Sequence, residues 1–411
     1  MSYLKHTIRG FSWMLALRGI TRFVAFIRIG ILARLLSPLQ FGLFGIAGLV
    51  LAFLEIITET GINVFLIQKE GDIKDYIDTS WVVSIVRGII IAFLIALSSP
   101  LVSHFFKSPD ALKLILLISL VPLIKGFINP SAVILQKELK FAKEFWFRFS
   151  IFTFDSSVAI LTGFIIKSAV CIVFGLIAGA ILELILSFVF ISPRPKLKLE
   201  TVKFKEVVNK GKWVTFYGFF NYLFENLDDI LVGKVLGSVS LGIYQVAYRI
   251  SSLPITEVSD VVMKVTFPVY SKISSEKERL KNAFVKSTFV SIFMILPFGV
   301  FVYIFAKDLT LILLGQGWSE AVPIIKILAF FGIARAINQP FYSLFLSVKK
   351  QKFVTYSTLL NILIMIFFIS FLLPRYGLLG VSYSVLISSI ATIPVSLIFI
   401  KRIFKYEFAK G

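Results

Sequence analysis

Residues 169–192 run for 24 positions with a single charged side chain, Glu183. A helix of that length rises about 36 Å, and the hydrocarbon core of a bilayer is about 30 Å thick. The stretch therefore reads as a membrane-crossing helix, and it has counterparts along the whole chain. Comparable apolar segments lie at 11–34, 41–66, 80–100, 112–135 and 145–166. A polar stretch from Pro193 to Lys212 follows, and then 213–236, 241–266, 284–306, 320–345, 353–373 and 378–400. In lipid a spanning segment must satisfy its own backbone hydrogen bonds, which a helix does. The expectation is an all-α integral membrane protein with about twelve transmembrane helices. Composition agrees: 16% of the 411 residues are charged, where soluble domains carry about 25%.

The net charge of +20 would suit a nucleic-acid binder, but its placement argues against one. The N-terminal tail, the loops near 69–78, 136–144, 193–212, 270–286 and 349–352, and the C-terminal tail together hold 26 Lys and Arg. The opposite loops hold six: Arg34, Lys107, Lys167, Lys234, Lys307 and Arg375. This asymmetry follows the positive-inside rule and predicts a multi-pass protein of the cytoplasmic membrane with both termini cytoplasmic. The basic loops would lie against anionic lipid head groups, with no nucleic acid involved. Arg18, Arg22 and Arg28 interrupt the first apolar stretch, which is unlike a cleavable signal.

Catalytic chemistry is hard to place. Cys171 stands alone and His6 and His104 are far apart, so neither a disulfide nor a metal cluster is expected. No Gly-rich P-loop is present, so ATP hydrolysis is not expected. The reading is no enzyme, no catalytic residue, no metal and no cofactor.

An internal repeat organises the spans. Slid by 200 residues, the chain aligns Trp13 with Trp213, Arg34 with Lys234, Leu36 with Leu236, Gly42 with Gly242 and Ala47 with Ala247. A slide of 210 aligns Ala111 with Ala321, Lys125 with Arg335 and Pro130 with Pro340. Two six-helix lobes, 1–192 and 213–411, joined by a basic cytoplasmic linker at 193–212, are expected. An even number of spans gives both copies one orientation, and such parallel repeats mark transporters with the substrate site at the repeat interface.

The segment ILARLLSPLQFGLFGIAGLVLAFLEIITETGINVFLIQKE resembles the first helical hairpin of the O-antigen (Wzx-type) oligosaccharide flippases. These belong to the multidrug/oligosaccharidyl-lipid/polysaccharide (MOP) exporter superfamily. LGSVSLGIYQVAYRISSLP, VTFPVYSKI and LLGQGWSEAVPIIKILA extend the resemblance over nearly the whole chain. The resemblance implies a MATE-like fold of two lobes around a central cavity lined by spans one, two, seven and eight. It also implies flipping of a polyprenyl-pyrophosphate-linked oligosaccharide for cell-surface polysaccharides such as lipopolysaccharide O-antigen. The implied partners are the lipid bilayer, the lipid-linked glycan, and a polysaccharide polymerase and glycosyltransferases on either side of the flipping step. A monomer is expected. Many members of the superfamily have fourteen spans, and this chain is read with twelve.

Charges inside the spans supply the candidate site. A charge at a helix centre costs about 2.5–3.5 kcal/mol, so the deep set would cost on the order of 40 kcal/mol if it faced lipid. The charges must meet water or each other. Arg18, Arg22 and Arg28 fall within about a third of the first helix's circumference. With Arg87, Lys125, Arg249 and Arg335 they are the candidate substrate-binding cations, because a guanidinium fork matches phosphate. Glu55, Glu59, Glu225, Asp228 and Asp229 are the candidate ion-coupling or gating acids, for H⁺ or Na⁺. A static pair of Arg148 with Asp155, and ordinary close packing at Gly175-x-x-x-Gly179, are the structural expectations. The alternatives are a drug/cation antiporter of the same superfamily, which should favour cavity acids, and an integral-membrane polymerase or glycosyltransferase. The latter would need a catalytic constellation on a polar loop.

Overall fold

The computed structural model describes residues 2–58, 62, 66 and 73–407. Among them no strand occurs. Contacts divide the chain into two compact units, Met1–Gly242 and Ile243–Gly411.

The first unit opens with α1 (Ser2–Leu35) and α2 (Pro38–Ile57). Pro38 at the helix start fixes φ where the missing N–H is no loss. α3 (Lys74–Phe105) follows, then α4 (Ala111–Ile118) and α5 (Leu120–Gly126). A turn at Pro130–Val133 leads into α6 (Ile134–Lys137), and α7 (Phe141–Ile166) packs on α8 (Val170–Val189). α9 spans Thr201–Lys272. The second unit adds α10 (Lys277–Ile304), α11 (Ala306–Leu313), α12 (Ala321–Ser347) and α13 (Gln351–Arg402).

Eight helical stretches among the described residues are long and apolar enough to cross a membrane, and a bent pair makes a ninth. The count understates the crossings. α9 has 72 residues and α13 has 52. Straight helices of that size would be over twice the thickness of the apolar core. Each is interrupted by a glycine in a conformation that L side chains avoid: Gly237 at φ 85°, ψ 179° and Gly377 at φ 56°, ψ −130°. The chain folds back at the second break, for a Cβ on Gly380 would lie 2.1 Å from the Leu372 carbonyl oxygen. α9 and α13 are thus two spans each, and with α1 every one of the twelve expected spans has a helical counterpart.

Two expectations need correction. The fourth span is not continuous: 111–126 and 130–137 meet at a 73° bend. Pro130 disfavours helix at Asn129, and the Asn129 side chain accepts from Ser131 N–H (2.9 Å), capping the new turn. The linker is also mostly helical, because α9 begins at Thr201. Residues 193–200 alone are irregular, and they are strapped to the first unit. Lys196 N–H donates to Asp78 (2.8 Å), and Asn129 and Ser131 both donate to the Pro193 carbonyl.

The repeat is visible in the backbone. A Cβ on Gly42 would fall 1.6 Å from the Ser238 carbonyl oxygen, and one on Gly242 would fall 2.0 Å from the Pro38 carbonyl oxygen. Pro38 and Gly42 become Ser238 and Gly242 at the 200-residue offset, so the contact is self-complementary. At the 210-residue offset, Leu139 and Lys349 share left-handed backbone (φ 56° and 60°) at equivalent helix ends.

Candidate functional site

The first unit has a polar interior built where glycines let helices approach. Gly88 of α3 and Gly126 of α5 face each other, for a Cβ on Gly88 would lie 2.9 Å from the Gly126 Cα. The residues just before them, Arg87 and Lys125, line a cavity of about 310 Å³ together with Glu55, Gln136, Arg148 and Glu183. A second cavity of about 450 Å³ is walled by Arg18, Arg22 and Asp155. Lys125, Arg148 and Glu183 border both.

Several of these charges are held by named partners. Arg87 donates from Nη2 to the Glu55 carbonyl (2.6 Å) and from Nε to the Thr58 hydroxyl (3.4 Å). Lys125 Nζ lies 3.4 Å from Glu55 Oε1, with both side chains partly exposed. Arg28 is bound to Asp155 Oδ2 at 2.9 Å, and those side chains are only 13% and 11% exposed. Gly175 and Gly179 of α8 seat that aspartate: a Cβ on Gly175 would lie 2.6 Å from Asp155 Oδ1. Their small size accommodates a buried carboxylate rather than merely letting two helices touch. Asp155 Oδ1 is buried and has no hydrogen-bond partner among the described residues.

The expected pair of Arg148 with Asp155 does not form. Arg148 Nε instead donates to Glu144 Oε1 at 2.8 Å, and Gln136 donates to the same oxygen. Glu144 and Arg148 are one helical turn apart on one face of α7, whereas Asp155 lies two turns beyond. Asp155 is left to the cation arriving from α1.

The candidate residues divide between the units. Arg18, Arg22, Arg87, Lys125 and Glu55 come together in the first, with Arg28 buried beside Asp155. Glu225, Asp228 and Asp229 lie on α9 in the same unit, Asp228 being buried. Arg249 and Arg335 belong to the second unit, where Arg335 donates to the Tyr248 hydroxyl (2.9 Å) and Tyr248 rests near Phe331. Glu59 lies outside the described residues. Sequence reading counts Asp155 and Glu183 among the charges inside the spans without assigning them a role in the site, and it does not place Arg148 or Gln136 there. The available signal was their position in apolar spans, where any ionisable group calls for a partner.

The set carries a surplus of positive charge. Arg18, Arg22, Arg28, Arg87, Lys125 and Arg148 face Glu55, Glu144, Asp155 and Glu183. Among the described residues that line the cavities or pair with their lining, six cations stand against four carboxylates, which suits an anionic guest.

Comparison with known proteins gives a context. A family model described as "Polysaccharide biosynthesis protein" matches residues 31–323. An "Uncharacterized membrane protein in cps region" of Klebsiella pneumoniae is 28% identical, covering 94% of this chain and 80% of that one. The "Lipopolysaccharide biosynthesis protein WzxC" of Escherichia coli K12 is 24% identical, covering 84% and 71%. Among solved structures, an inward-facing multidrug resistance MATE family transporter of the MOP superfamily superposes with a TM-score of 0.70 at 14% identity, covering 95% and 96%. The lipid II flippase MurJ in an inward closed conformation gives 0.68 at 18%, covering 95% and 87%. The all-helical two-lobe membrane fold of these transporters is the fold of this chain.

Proposed function

The chain belongs to the polysaccharide biosynthesis protein family, and from that membership we propose that it flips a polyprenyl-pyrophosphate-linked oligosaccharide across the cytoplasmic membrane. The observation that carries this reading is the surplus of cations along the cavities of the first unit. A diphosphate crossing an apolar core needs its charge matched by donors that are already oriented, and arginines supply several at fixed angles. Arg18, Arg22, Arg87 and Lys125 would receive the diphosphate, while the prenyl tail stays in lipid. The names of the relatives support a glycan substrate: one is a lipopolysaccharide biosynthesis protein and one lies in a cps region. The fold shared with a lipid II flippase supports flipping rather than synthesis.

Coupling to H⁺ or Na⁺ is part of the proposal. Its support is the Asp155 oxygen that is buried without a partner, one atom away from the oxygen held by Arg28. A proton or cation arriving there would weaken the hold on Arg28 and change the charge facing the substrate. Glu55, Glu225, Asp228 and Asp229 are the further candidates. Both termini would lie in the cytoplasm, on the side of the basic loops. Glycosyltransferases would complete the repeat unit before this step, and a polymerase would use it after.

Reconstitution in proteoliposomes with a fluorescent lipid-pyrophosphate oligosaccharide tests the reading. Flipping should depend on the protein and fall at least about tenfold in Arg22→Gln, the loss of one charged hydrogen bond. Protein-dependent flipping absent under every H⁺ and Na⁺ gradient would overturn it.

A further inference from the structure

Glu144 and Arg148 stand one helical turn apart near the start of α7, and their burial is opposite. The Glu144 side chain is 2% exposed and the Arg148 side chain is 51% exposed. A carboxylate that deep is costly unless donors meet it. Two do, both at Oε1: Arg148 Nε at 2.8 Å, and the Gln136 amide from α6. The first turn of a helix also favours an anion.

The repeat shows that the fold does not require this arrangement. At the 210-residue offset Gln136, Glu144 and Arg148 become Leu346, Val354 and Thr358. The backbone around them is kept. α7 opens at Phe141 and α13 at the equivalent Gln351, each after a left-handed residue, Leu139 and Lys349. In the second copy Val354 rests on the apolar cluster of Leu344, Phe345 and Ile400. In the first copy the same place holds a buried acid. What that acid adds is an arginine fixed in place.

Position gives the arginine its use. Arg148 borders both cavities of the first unit, as Lys125 of α5 and Glu183 of α8 do. The bond to Glu144 uses Nε, one of the five guanidinium N–H groups, and the paired Nη groups form the edge that a phosphate takes. The Glu183 carboxylate lies within electrostatic reach of both Arg148 and Lys125. It competes with an anionic guest for the two cations, so the guest is held here without being trapped.

We propose that Arg148 binds the diphosphate of the substrate where the two cavities meet, and that Glu144 is the positioning residue that aims it. The choice of a diphosphate rests on the flippase reading above. The arginine edge and the lysine ask only for an oxyanion.

The test uses the full chain purified in detergent, with inorganic pyrophosphate as the probe in a calorimetric titration. Arg148→Gln should weaken binding by about tenfold, the loss of one charged hydrogen bond. Arg148→Lys should not restore it, because a lysine held by Glu144 has no second donor edge to offer. Glu183→Gln should act with the opposite sign and tighten binding, which a loss of packing does not produce. Gln136→Leu with Glu144→Val installs the residues of the second copy. That variant should melt no lower than wild type and still bind about fivefold more weakly, the cost of ordering one long side chain. In proteoliposomes Arg148→Gln should raise the KM for the lipid-linked substrate more than it lowers kcat. Wild-type protein that binds no pyrophosphate, or an unchanged affinity in Arg148→Gln, would overturn the site. A stable double variant with wild-type affinity would overturn the role of Glu144. Protein that binds pyrophosphate in this order but flips no lipid would support the site and count against the flipping itself.

Discussion

Gly42 and Gly242 touch backbone to backbone, each occupying in the other's helix the place where a side chain would start. A Cβ on Gly42 would lie 3.1 Å from Gly242 N, and one on Gly242 would lie 2.7 Å from Gly42 N. The two residues are equivalent in the internal repeat, so the contact is made twice by one motif. The neighbouring atoms are carbonyls, which cannot swing aside as a side chain can. Gly42→Ala and Gly242→Ala should each destabilise the protein by about 1–3 kcal/mol, as overpacking does. The double variant should lose less than the two losses added, because the first separation relieves the second clash. Thermal unfolding in detergent reads all three, and a neutral Gly42→Ala would show that the helices do not meet this closely.

Much of this arrangement was legible from sequence because it rests on periodic or bulk properties. Span lengths follow from the thickness of the bilayer, and the repeat was carried by Trp13, Leu36, Gly42 and Ala47 and their copies 200 residues on. The fourth span was read as one helix because Ile134 and Leu135 continue the apolar run, while the capping hydrogen bond of Asn129 cannot be seen in hydropathy. The partner of Asp155 was misread for another reason. Arg28 is 127 residues away, and only packing of α1 on α7 brings it near, whereas Arg148 was the visible cation on the same helix. Gly175 and Gly179 announced a close approach but not what they make room for.

That last point gives a second prediction. Gly175→Ala would drive a methyl group into Asp155 Oδ1, and the shift should disturb the Arg28 pair. The expected cost is about 1–3 kcal/mol in the wild-type background. In an Asp155→Ala background the carboxylate is gone, although the Asp155 backbone carbonyl at 2.7 Å and the Ala159 methyl at 2.7 Å remain. The cost should therefore shrink but not vanish. A double-mutant cycle by thermal unfolding measures the difference, and equal costs in both backgrounds would assign these glycines to backbone packing alone.

The Arg28–Asp155 pair itself should behave as a buried pair. Asp155→Asn leaves the Arg28 charge with a neutral partner in a nearly closed site, which costs about 3–5 kcal/mol when a partner is simply removed. Arg28→Met with Asp155→Leu, which removes both charges, should recover most of that stability. If the pair only holds helices together, the stable double variant should also flip its substrate. If Asp155 couples transport to an ion, the double variant should melt normally and flip without responding to an imposed gradient. Unfolding and proteoliposome assays on the same preparations separate these outcomes.

The Lys125–Glu55 contact should show the opposite balance. The two side chains are 45% and 33% exposed and their charges are 3.4 Å apart, a geometry worth at most about 1 kcal/mol. Lys125→Gln should therefore melt close to wild type. Lys125 also borders both cavities, so the same change removes a cation from the surface offered to a diphosphate, and flipping should fall by about tenfold. The exchange Lys125→Glu with Glu55→Lys decides which property matters. It keeps the pair and the net charge but moves the cation from α5 to α2. A purely structural pair would tolerate the exchange with activity intact. A lysine that meets the substrate from α5 would not, because the transferred charge starts from another helix and the carboxylate now stands where the phosphate must pass.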